Sequence, residues 1–343
     1  MRILFIIAFF IFSTFDAVSK VITVPPSENA QEQLQEAMIL AEPGDEIQLM
    51  TGVYQIEDGL SLDIDNVIIA GNGHENTVLD FSNQMTGAQG LMITSDAITL
   101  KDFAIINTKG DAIKAKGSNG ISFLNIRTEW TDGPKASNGA YGLYPVESKN
   151  VLIDGCIAIG ASDAGIYVGQ SENIIVKNSV AEYNVAGIEI ENSYFADVKN
   201  NIARYNTGGI LVFDLPDLPQ QGGHHVRVFD NLIISNNTDN FAPEGNIVGE
   251  VPRGTGIIIM ANSDVEVFNN DISNNGTVNV AIVSYSDPNQ ETDENYYPYP
   301  KSIQIHSNRF GESGFNPDTD KELAGILYEL SAVSYTHLRA HET

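Results

Sequence analysis

The chain has 343 residues, with 45 Asp and Glu against 18 Lys and Arg, and its net charge at pH 7 is −27. Such an acidic surface repels phosphate backbones, which excludes nucleic acid as a partner, and it does not attract polyanionic sugars from a distance. A polyuronate ligand would therefore need a local basic patch or a bridging cation.

The first 19 residues have the pattern of an export signal. Arg2 is the positive n-region, Ile3 to Phe12 form the apolar h-region, and Ala17-Val18-Ser19 is a small-x-small cleavage site. We expect cleavage after Ser19 and an exported mature protein that is periplasmic, outer-surface or secreted. The apolar run is too short to favour a membrane span, and no later segment of the sequence is apolar enough for one.

Residues 27–41 predict one amphipathic helix, in which Ser27 can cap the first turn. A turn at Pro43-Gly44 and short strand-like segments follow it. A helix in this position would cover the open edge at the start of a stack of strands, and such an edge otherwise invites aggregation.

A strand repeat fills the chain from about residue 58 onward. Its copies share an alternating apolar strand and begin at Asp111, Tyr141, Ala164, Ala186, Gly208 and Thr255. The middle copies are 22 residues apart, and a second strand type, such as Ile174–Lys177, alternates with them. Two or three short strands per unit without helices between them predict stacked β-coils, roughly ten in number, in one domain over residues 20–330.

Within the repeated strand, the period of two assigns residues such as Ile166 and Val168 to the core and the residues between them to the outer face. Asn recurs after the strands, where it can adopt tight-turn backbone and bond to the next coil as a ladder, at Asn178, Asn184, Asn201, Asn206, Asn231, Asn270 and Asn308. The period is broken at 129–140, 214–225 and 286–301, and such insertions form loops, often on the binding face of a solenoid.

The outward positions of the repeated strand form a mixed column of Lys, Tyr and acidic residues. Because a coil stack places equivalent residues about 4.8 Å apart, these groups should lie within about two strand spacings of one another. With the residues that flank the strands, the set is Lys109, Lys114, Lys116, Tyr141, Tyr144, Glu147, Asp163, Tyr167, Glu189 and Glu191. An ordinary solvated sheet face, on which Lys and Glu neighbours offset each other, is the structural alternative.

These residue types suit chemistry on uronic acids. Abstraction of the C5 proton requires a cation to neutralise the adjacent carboxylate, a base to take the proton and an acid to return it. Plain glycoside hydrolysis requires two carboxylates that flank the bond, for which Glu189 and Asp163 are candidates.

Residues 22–330 resemble right-handed parallel β-helix proteins of the pectate-lyase-like superfamily, and the segment Pro43–Tyr54 looks like the N-terminal coil of that group. The segment Tyr141–Glu147 (YGLYPVE), followed by Asp163, is similar to the mannuronan C5-epimerase site, which reads Tyr-Gly-Phe-Asp-Pro-His-Glu and then Leu-Asp-Gly. The chain departs from that pattern at two polar positions, with Tyr144 in place of the Asp and Val146 in place of the His.

The resemblance implies catalytic roles for Tyr141, Asp163 and Lys109. The repeats resemble more closely those of exported β-helix repeat proteins whose chemistry is unassigned. The last residues, 331–343, share nothing with the repeats and resemble a translated adapter, so we interpret them as a non-native tail.

The sequence thus predicts an all-β fold, a single right-handed parallel β-helix with an N-terminal capping helix. The leading functional hypothesis is a monomeric exported protein that acts on a uronate-containing polysaccharide by lyase or epimerase chemistry. Tyr141 would be the acid or base, Lys109 or Lys114 would neutralise the carboxylate, and Asp163 would assist. The alternatives are a non-catalytic polysaccharide-binding or cell-surface module and a glycoside hydrolase.

No cofactor follows directly from the sequence. Calcium, held by Asp and Glu oxygens, stays open because the protein is acidic and predicted to be exported. His224 and His225 lie near Asp214 and Asp217, but adjacent His residues without a spaced partner give little metal signal.

Overall fold

The structure is a computed structural model that describes residues 19–285, 293 and 296–329. The predicted signal up to residue 18 and the predicted tail from residue 331 lie outside these described residues, as does most of the predicted insertion 286–301. In the described part of the chain, no helix is both long enough and apolar enough to cross a bilayer.

Short strands dominate the chain. In order, the elements are β1 (Val21–Val24), α1 (Ala30–Leu40), β2 (Glu46–Leu49), β3 (Gly52–Gln55), β4 (Leu60–Leu62), β5 (Ile68–Ala70), β6 (Thr77–Asp80), β7 (Gln89–Ile93), β8 (Ile98–Lys101), β9 (Ala104–Ile106), β10 (Asp111–Lys116), β11 (Asn119–Leu124), β12 (Arg127–Glu129), β13 (Tyr141–Val146), β14 (Lys149–Asp154), β15 (Ile157–Ile159), β16 (Ala164–Gly169), β17 (Glu172–Lys177), β18 (Val180–Glu182), β19 (Ala186–Glu191), β20 (Tyr194–Lys199), β21 (Ile202–Arg204), β22 (Gly208–Phe213), β23 (His224–Phe229), β24 (Leu232–Ile234), a 3₁₀ helix (Ile247–Glu250), β25 (Thr255–Met260), β26 (Ser263–Phe268), β27 (Asp271–Ser273), β28 (Val278–Val283), β29 (Gln304–His306) and β30 (Arg309–Phe310). Residues 322–329 are helical as well.

The strands form three parallel sheets, each of which takes one strand from nearly every coil. Sheet A has 11 strands, in the order β1-β2-β5-β8-β11-β14-β17-β20-β23-β26-β29. Sheet B has 10, in the order β3-β6-β9-β12-β15-β18-β21-β24-β27-β30, and sheet C has nine, in the order β28-β25-β22-β19-β16-β13-β10-β7-β4. The chain is therefore a right-handed parallel β-helix, as predicted.

The repeats predicted from the sequence stack in register. Ala164 pairs with Ala186 and Ala186 with Gly208, so the 22-residue spacing is one turn of the coil. The predicted inward residues, such as Ile166 and Val168, are fully buried in one continuous core that runs the length of the stack.

Helix α1 packs over the first coils at the N-terminal end. It buries Ala30, Leu34, Ala37 and Met38 in the same core. The predicted start at residue 27 is wrong by three residues: the helix begins at Ala30, and the backbone carbonyls of Ser27 and Asn29 accept the N–H groups of Ala30 and Gln33. Ser27 does not cap the helix, since its hydroxyl bonds to the Gln33 side chain instead.

Two asparagine ladders run through the interior of the turns. In the first, each amide oxygen accepts from the backbone and side chain of the previous coil, through Asn201, Asn231, Asn270 and Asn308. The second connects Asn184, Asn206, Asn236 and Asn275 in the same way. The predicted ladder is confirmed, except that Asn178 lies in an outer turn and bonds to Asp154.

Asn231→Ala should lower the free energy of unfolding by about 2–3 kcal/mol, because it leaves the buried N–H of Asn201 without its acceptor and removes a bond to Asn270. Denaturant unfolding measures the change. Asn83→Ala, at an exposed turn position that is not left-handed, is the matched control and should change stability little. Equal losses in the two variants would contradict a structural role for the ladder.

Candidate functional site

The predicted site residues converge on the outer face of sheet C, on strands β10, β13, β16 and β19. In-register stacking places Lys114 beside Tyr144, and Tyr167 beside Glu189. Each strand therefore crosses the site, and equivalent side chains of successive strands form a column along the axis of the coil stack. Four consecutive coils contribute to a single polar and aromatic cluster.

An insertion covers the same face on the later coils. Residues 237–254 include the 3₁₀ helix and pack Val248 and Val251 against Leu211, Phe213 and Ile258 in a second apolar cluster. This insertion was not predicted, although the strand starts at Gly208 and Thr255 are 47 residues apart instead of 22. The site therefore lies at a border, with open sheet on one side and covered sheet on the other.

Three tyrosine rings pack together at this border. The centroid of the Tyr141 ring lies 4.3 Å from that of Tyr144 and 4.6 Å from that of Tyr167. The Lys114 ammonium sits 4.4 Å from the centre of the Tyr144 ring, on the open side of the cluster. The arrangement offers hydroxyls, an aromatic surface and one cation within a small area.

Tyr141 and Asp163 form the central polar contact. The Tyr141 hydroxyl donates to Asp163 Oδ2 over 3.3 Å, and the Asn246 amide, from the covering insertion, donates to the same oxygen over 3.2 Å. Asn246 was not among the predicted residues, because nothing in the sequence connects the insertion to this turn. The insertion consequently helps to hold the carboxyl in place.

Tyr167 and Glu191 form a second hydroxyl–carboxyl pair. The Tyr167 hydroxyl donates to Glu191 Oε1 over 2.6 Å, and both side chains are buried. The Tyr167 ring leans over Gly169, where a Cβ would collide with the ring and its hydroxyl. Glycine at this position therefore allows Tyr167 to reach the next coil.

Glu189, on the coil next to Tyr167, is a buried acid with one carboxyl oxygen unpaired in the described part of the chain. Its side chain is only 1% exposed, and its Oε2 has no hydrogen-bond partner among the residues that the structure describes. Burial, followed by the charges of Asp163 and Glu191, raises its pKa well above the usual value. Burial therefore favours the neutral form of Glu189.

The other carboxyls of the cluster also have raised pKa values, each chiefly because of burial. The pKa of Asp111 is raised to about 6, and those of Asp163 and Glu191 to about 7. Burial likewise raises the pKa of Tyr144 to about 12 and that of Tyr141 further. Near neutral pH, Asp163 is thus divided between its neutral and ionised forms, whereas Tyr141 keeps its proton.

Three predicted residues lie at the margin of the cluster. Lys116 pairs with Glu147 over 3.3 Å at the far end of the strands. The Lys109 ammonium reaches the carbonyl of Met85 over 3.4 Å, and the structure gives it no contact with Tyr141 or Asp163. The structure thus brings together Lys114, the tyrosines and the acids, and leaves Lys109 outside this group.

The structure adds no support for a metal centre. Among the described residues, no group of three or more His, Cys, Asp and Glu side chains could hold an ion. His224 and His225 pack against the rings of Tyr194 and Phe195, and Asp214 accepts N–H groups from the turn at residues 222 and 223.

Comparisons with known proteins agree with the fold. Residues 51–217, just under half of the chain, match the model of the family described as right handed beta helix region. No curated protein matches the chain in sequence. The predicted resemblance to right-handed parallel β-helix proteins is thereby confirmed.

Solved structures of several functional kinds share this architecture. The A-module of mannuronan C-5 epimerase AlgE6 from Azotobacter vinelandii matches with a TM-score of 0.57 and 15% identity, over 85% of this chain and 88% of that one. Pectate lyase Pel9A matches with 0.50 and 14% identity, over 88% and 80%. The Streptococcus pneumoniae surface protein and adhesin PfbA matches with 0.54 and 13% identity, over 86% and 98%. At such identities the likeness shows the fold alone.

Glu189→Gln should flatten the pH dependence of stability. A buried acid whose pKa is raised in the folded state binds more protons there than in the unfolded chain, so the free energy of unfolding falls as pH rises above about 4. Gln cannot ionise, so the variant should match the wild type near pH 4 and exceed its free energy of unfolding by about 1–3 kcal/mol at pH 8.

Urea unfolding between pH 4 and 8 provides the measurement, with the exposed Glu57→Gln as the matched control. If Glu189→Gln and wild type lose stability in parallel as pH rises, Glu189 ionises without cost and the assignment of a buried neutral acid is wrong.

Proposed function

We propose that the protein acts on a uronate-containing polysaccharide by abstraction of the C5 proton, in a lyase or epimerase reaction. The observation that carries this proposal is the Tyr141–Asp163 pair, in which the hydroxyl of a partly buried tyrosine is bonded to a buried carboxyl. The extended, rigid face of sheet C suits a polymer that lies along it. The solved structures of the same fold include enzymes named for such substrates, which supports the class without fixing the reaction.

In the proposed step, the Tyr141 oxygen takes the C5 proton while the hydroxyl proton of Tyr141 passes to the ionised Asp163. The electron pair of the broken C–H bond moves into the substrate carboxylate. Asp163 suits the acceptor role because a base is most effective when its pKa lies near the working pH, and its pKa is raised to about 7. Asn246 fixes the orientation of the carboxyl.

Lys114 is the cation best placed to neutralise the substrate carboxylate. Its ammonium lies on the ring of Tyr144, which in turn contacts Tyr141. Lys109, the other candidate from the sequence, contacts Met85 on the previous coil instead. The proposed role of Lys114 therefore replaces that of Lys109 at the reacting centre.

The arrangement of the tyrosines favours elimination over epimerisation. Epimerisation requires proton transfer on both faces of the sugar ring, whereas β-elimination can use one group as base and then as acid. Tyr141 and Tyr144 project from the same sheet face, and Val146 has no group that transfers a proton. In elimination, the electron pair forms the C4–C5 double bond, the C4–O bond breaks, and the leaving oxygen takes its proton from Tyr141.

Hydrolysis is the second candidate, because the cluster contains a buried acid, Glu189, whose pKa is raised by burial and then by the charge of Asp163. A hydrolase needs one protonated and one ionised carboxyl at the scissile bond. Burial of Glu189 beneath Tyr167 argues for the lyase proposal, since the acid would have to reach the glycosidic oxygen directly.

A binding module without catalysis is the third candidate. The rings of Tyr297 and Tyr299 are exposed and 5.6 Å apart, so they could pack on sugar rings. Tyr296, by contrast, is buried and its hydroxyl donates to the carbonyl of Asp214.

Tyr141→Phe should abolish turnover, because it removes the only hydroxyl bonded to Asp163 among the described residues and leaves the ring packing in place. Proton NMR with a panel of polyuronates in heavy water containing calcium is the assay. A new vinyl proton would show elimination, and deuterium at C5 of intact chains would show epimerisation. Tyr144→Phe, which keeps the ring beside Lys114, is the matched control and should retain activity.

Full activity of Tyr141→Phe would contradict the assignment of this residue. New reducing ends without a vinyl proton would support hydrolysis by Glu189 and Asp163. Sugar binding without turnover, lost when Tyr297 and Tyr299 are replaced, would support the binding module.

The rate at limiting substrate should rise as pH increases through about 7, because Asp163 accepts a proton only after it has lost its own. A pH profile of kcat/KM measures this rise. Asp163→Asn should abolish this rise in kcat/KM together with most of the activity. If kcat/KM of the variant still rises near pH 7, another group is responsible for the rise.

A further inference from the structure

A second surface with binding features lies on sheet A, on a different face from the tyrosine cluster. It is a shallow groove of about 760 Å³. The register of the strands defines its floor as a column of outward side chains on six successive coils, which are Leu152, Ile175, Asp197, Arg227, Glu266 and Gln304. At the strand spacing of about 4.8 Å, the column is roughly 24 Å long.

One wall of the groove is a column of left-handed residues. Equivalent positions on successive coils have positive φ. They are the second residues of five strands, Asn150, Asn173, Phe195, His225 and Asp264, together with Ser302, which precedes β29. Four of the six are Asn, Asp or Ser, and short polar side chains of this kind suit such turns. Phe195 and His225 are the exceptions, with φ of 56° and 57°.

Phe195 combines a left-handed backbone with a half-exposed ring. A bulky residue with positive φ is disfavoured relative to the Asn and Asp that occupy the equivalent positions of other coils. The Phe195 side chain is nevertheless 48% exposed, and its ring lies 5.0 Å from that of His225. An exposed aromatic pair, held in strained backbone in the middle of a groove, indicates a contact surface for a ligand.

The residues that line the groove indicate the class of ligand. Strands on both sides occupy the backbone hydrogen-bonding groups of the floor, so a peptide cannot add to an open sheet edge. Recognition must come from side chains, and the floor offers Leu152 and Ile175 at one end and planar hydrogen-bonding groups at the other. Such a surface matches a polymer that carries hydroxyl groups along its length and apolar ring faces between them.

The charges of the groove select against acidic polymers. Arg227 makes a bidentate ion pair with Asp197, with both contacts at 2.7 Å. The other two carboxylates of the lining, Asp264 and Glu266, form no ion pair with Lys or Arg among the described residues, and Glu266 contacts the His306 ring over 3.0 Å, so the lining has more acidic than basic groups. We propose that the sheet A groove binds a neutral polysaccharide segment, with Phe195 and His225 as the stacking surface and the Asp197–Arg227 pair as a hydrogen-bonding site. This site is independent of the reaction on sheet C.

The test is a binding titration of the purified protein with soluble neutral oligosaccharides of glucan, mannan, xylan and galactan. Phe195→Asn installs the residue that occupies the same column at Asn150 and Asn173, so the backbone should tolerate it. We expect at least one of these glycans to bind the wild type, and Phe195→Asn to weaken binding about tenfold or more, with an unchanged or higher unfolding midpoint.

Two controls separate this site from the others. Tyr205→Asn changes another exposed ring with positive φ, one that stacks on Tyr183 away from the groove, and should leave binding intact. Tyr141→Phe should also bind normally, whether or not it has lost turnover. Failure of the groove proposal is therefore distinguishable from failure of the proposed reaction.

Several results would overturn the proposal. The proposal is wrong if no glycan of the panel binds, if Phe195→Asn binds with unchanged affinity, or if Tyr205→Asn loses as much affinity as Phe195→Asn. A lower unfolding midpoint in Phe195→Asn would show that Phe195 is a packing residue. Selection of a peptide from a display library that competes at Phe195 would assign the groove to a protein partner instead.

Discussion

The structure depends on one constraint, which is that every coil must present its backbone hydrogen-bonding groups in register to the coils on either side. Parallel pairing in all three sheets satisfies this constraint, and the asparagine ladders extend it through the turns, where strands alone would leave buried N–H groups unpaired. The constraint also positions the chemistry. Side chains at equivalent positions, such as Lys114 and Tyr144, are neighbours because their backbones are.

The tyrosine cluster shows what this arrangement allows. Ordinary folds rarely bury several carboxyls together, because each ionised group loses its hydration. Here the stack places Asp163, Glu189 and Glu191 on adjacent coils, and the insertion that contributes Asn246 seals part of their surface from water. Burial raises the pKa values of these carboxyls. The net negative charge of the site is therefore smaller than its number of Asp and Glu residues indicates.

The sequence predicted the fold well because the constraint leaves a periodic trace. The 22-residue spacing, the alternation at Ile166 and Val168 and the recurring Asn residues all follow from stacking. The site was predicted in part, since register alone places Lys114, Tyr144 and Tyr167 in one column. Lys109 and Asn246 depend on loop paths that no period encodes, and the orphaned oxygen of Glu189 depends on what covers it.

The column of left-handed turn residues on sheet A has a consequence for how such proteins diversify. Each coil offers one equivalent position, and the backbone there has the same shape whether the residue is Asn173, Phe195 or Asp264. A single substitution can therefore add, remove or shift a contact by one step along the axis, without repacking the core. Contacts can thus be placed at any multiple of the strand spacing along the coil axis. Recognition of polymers with different repeat lengths can evolve by small, separable substitutions on successive coils.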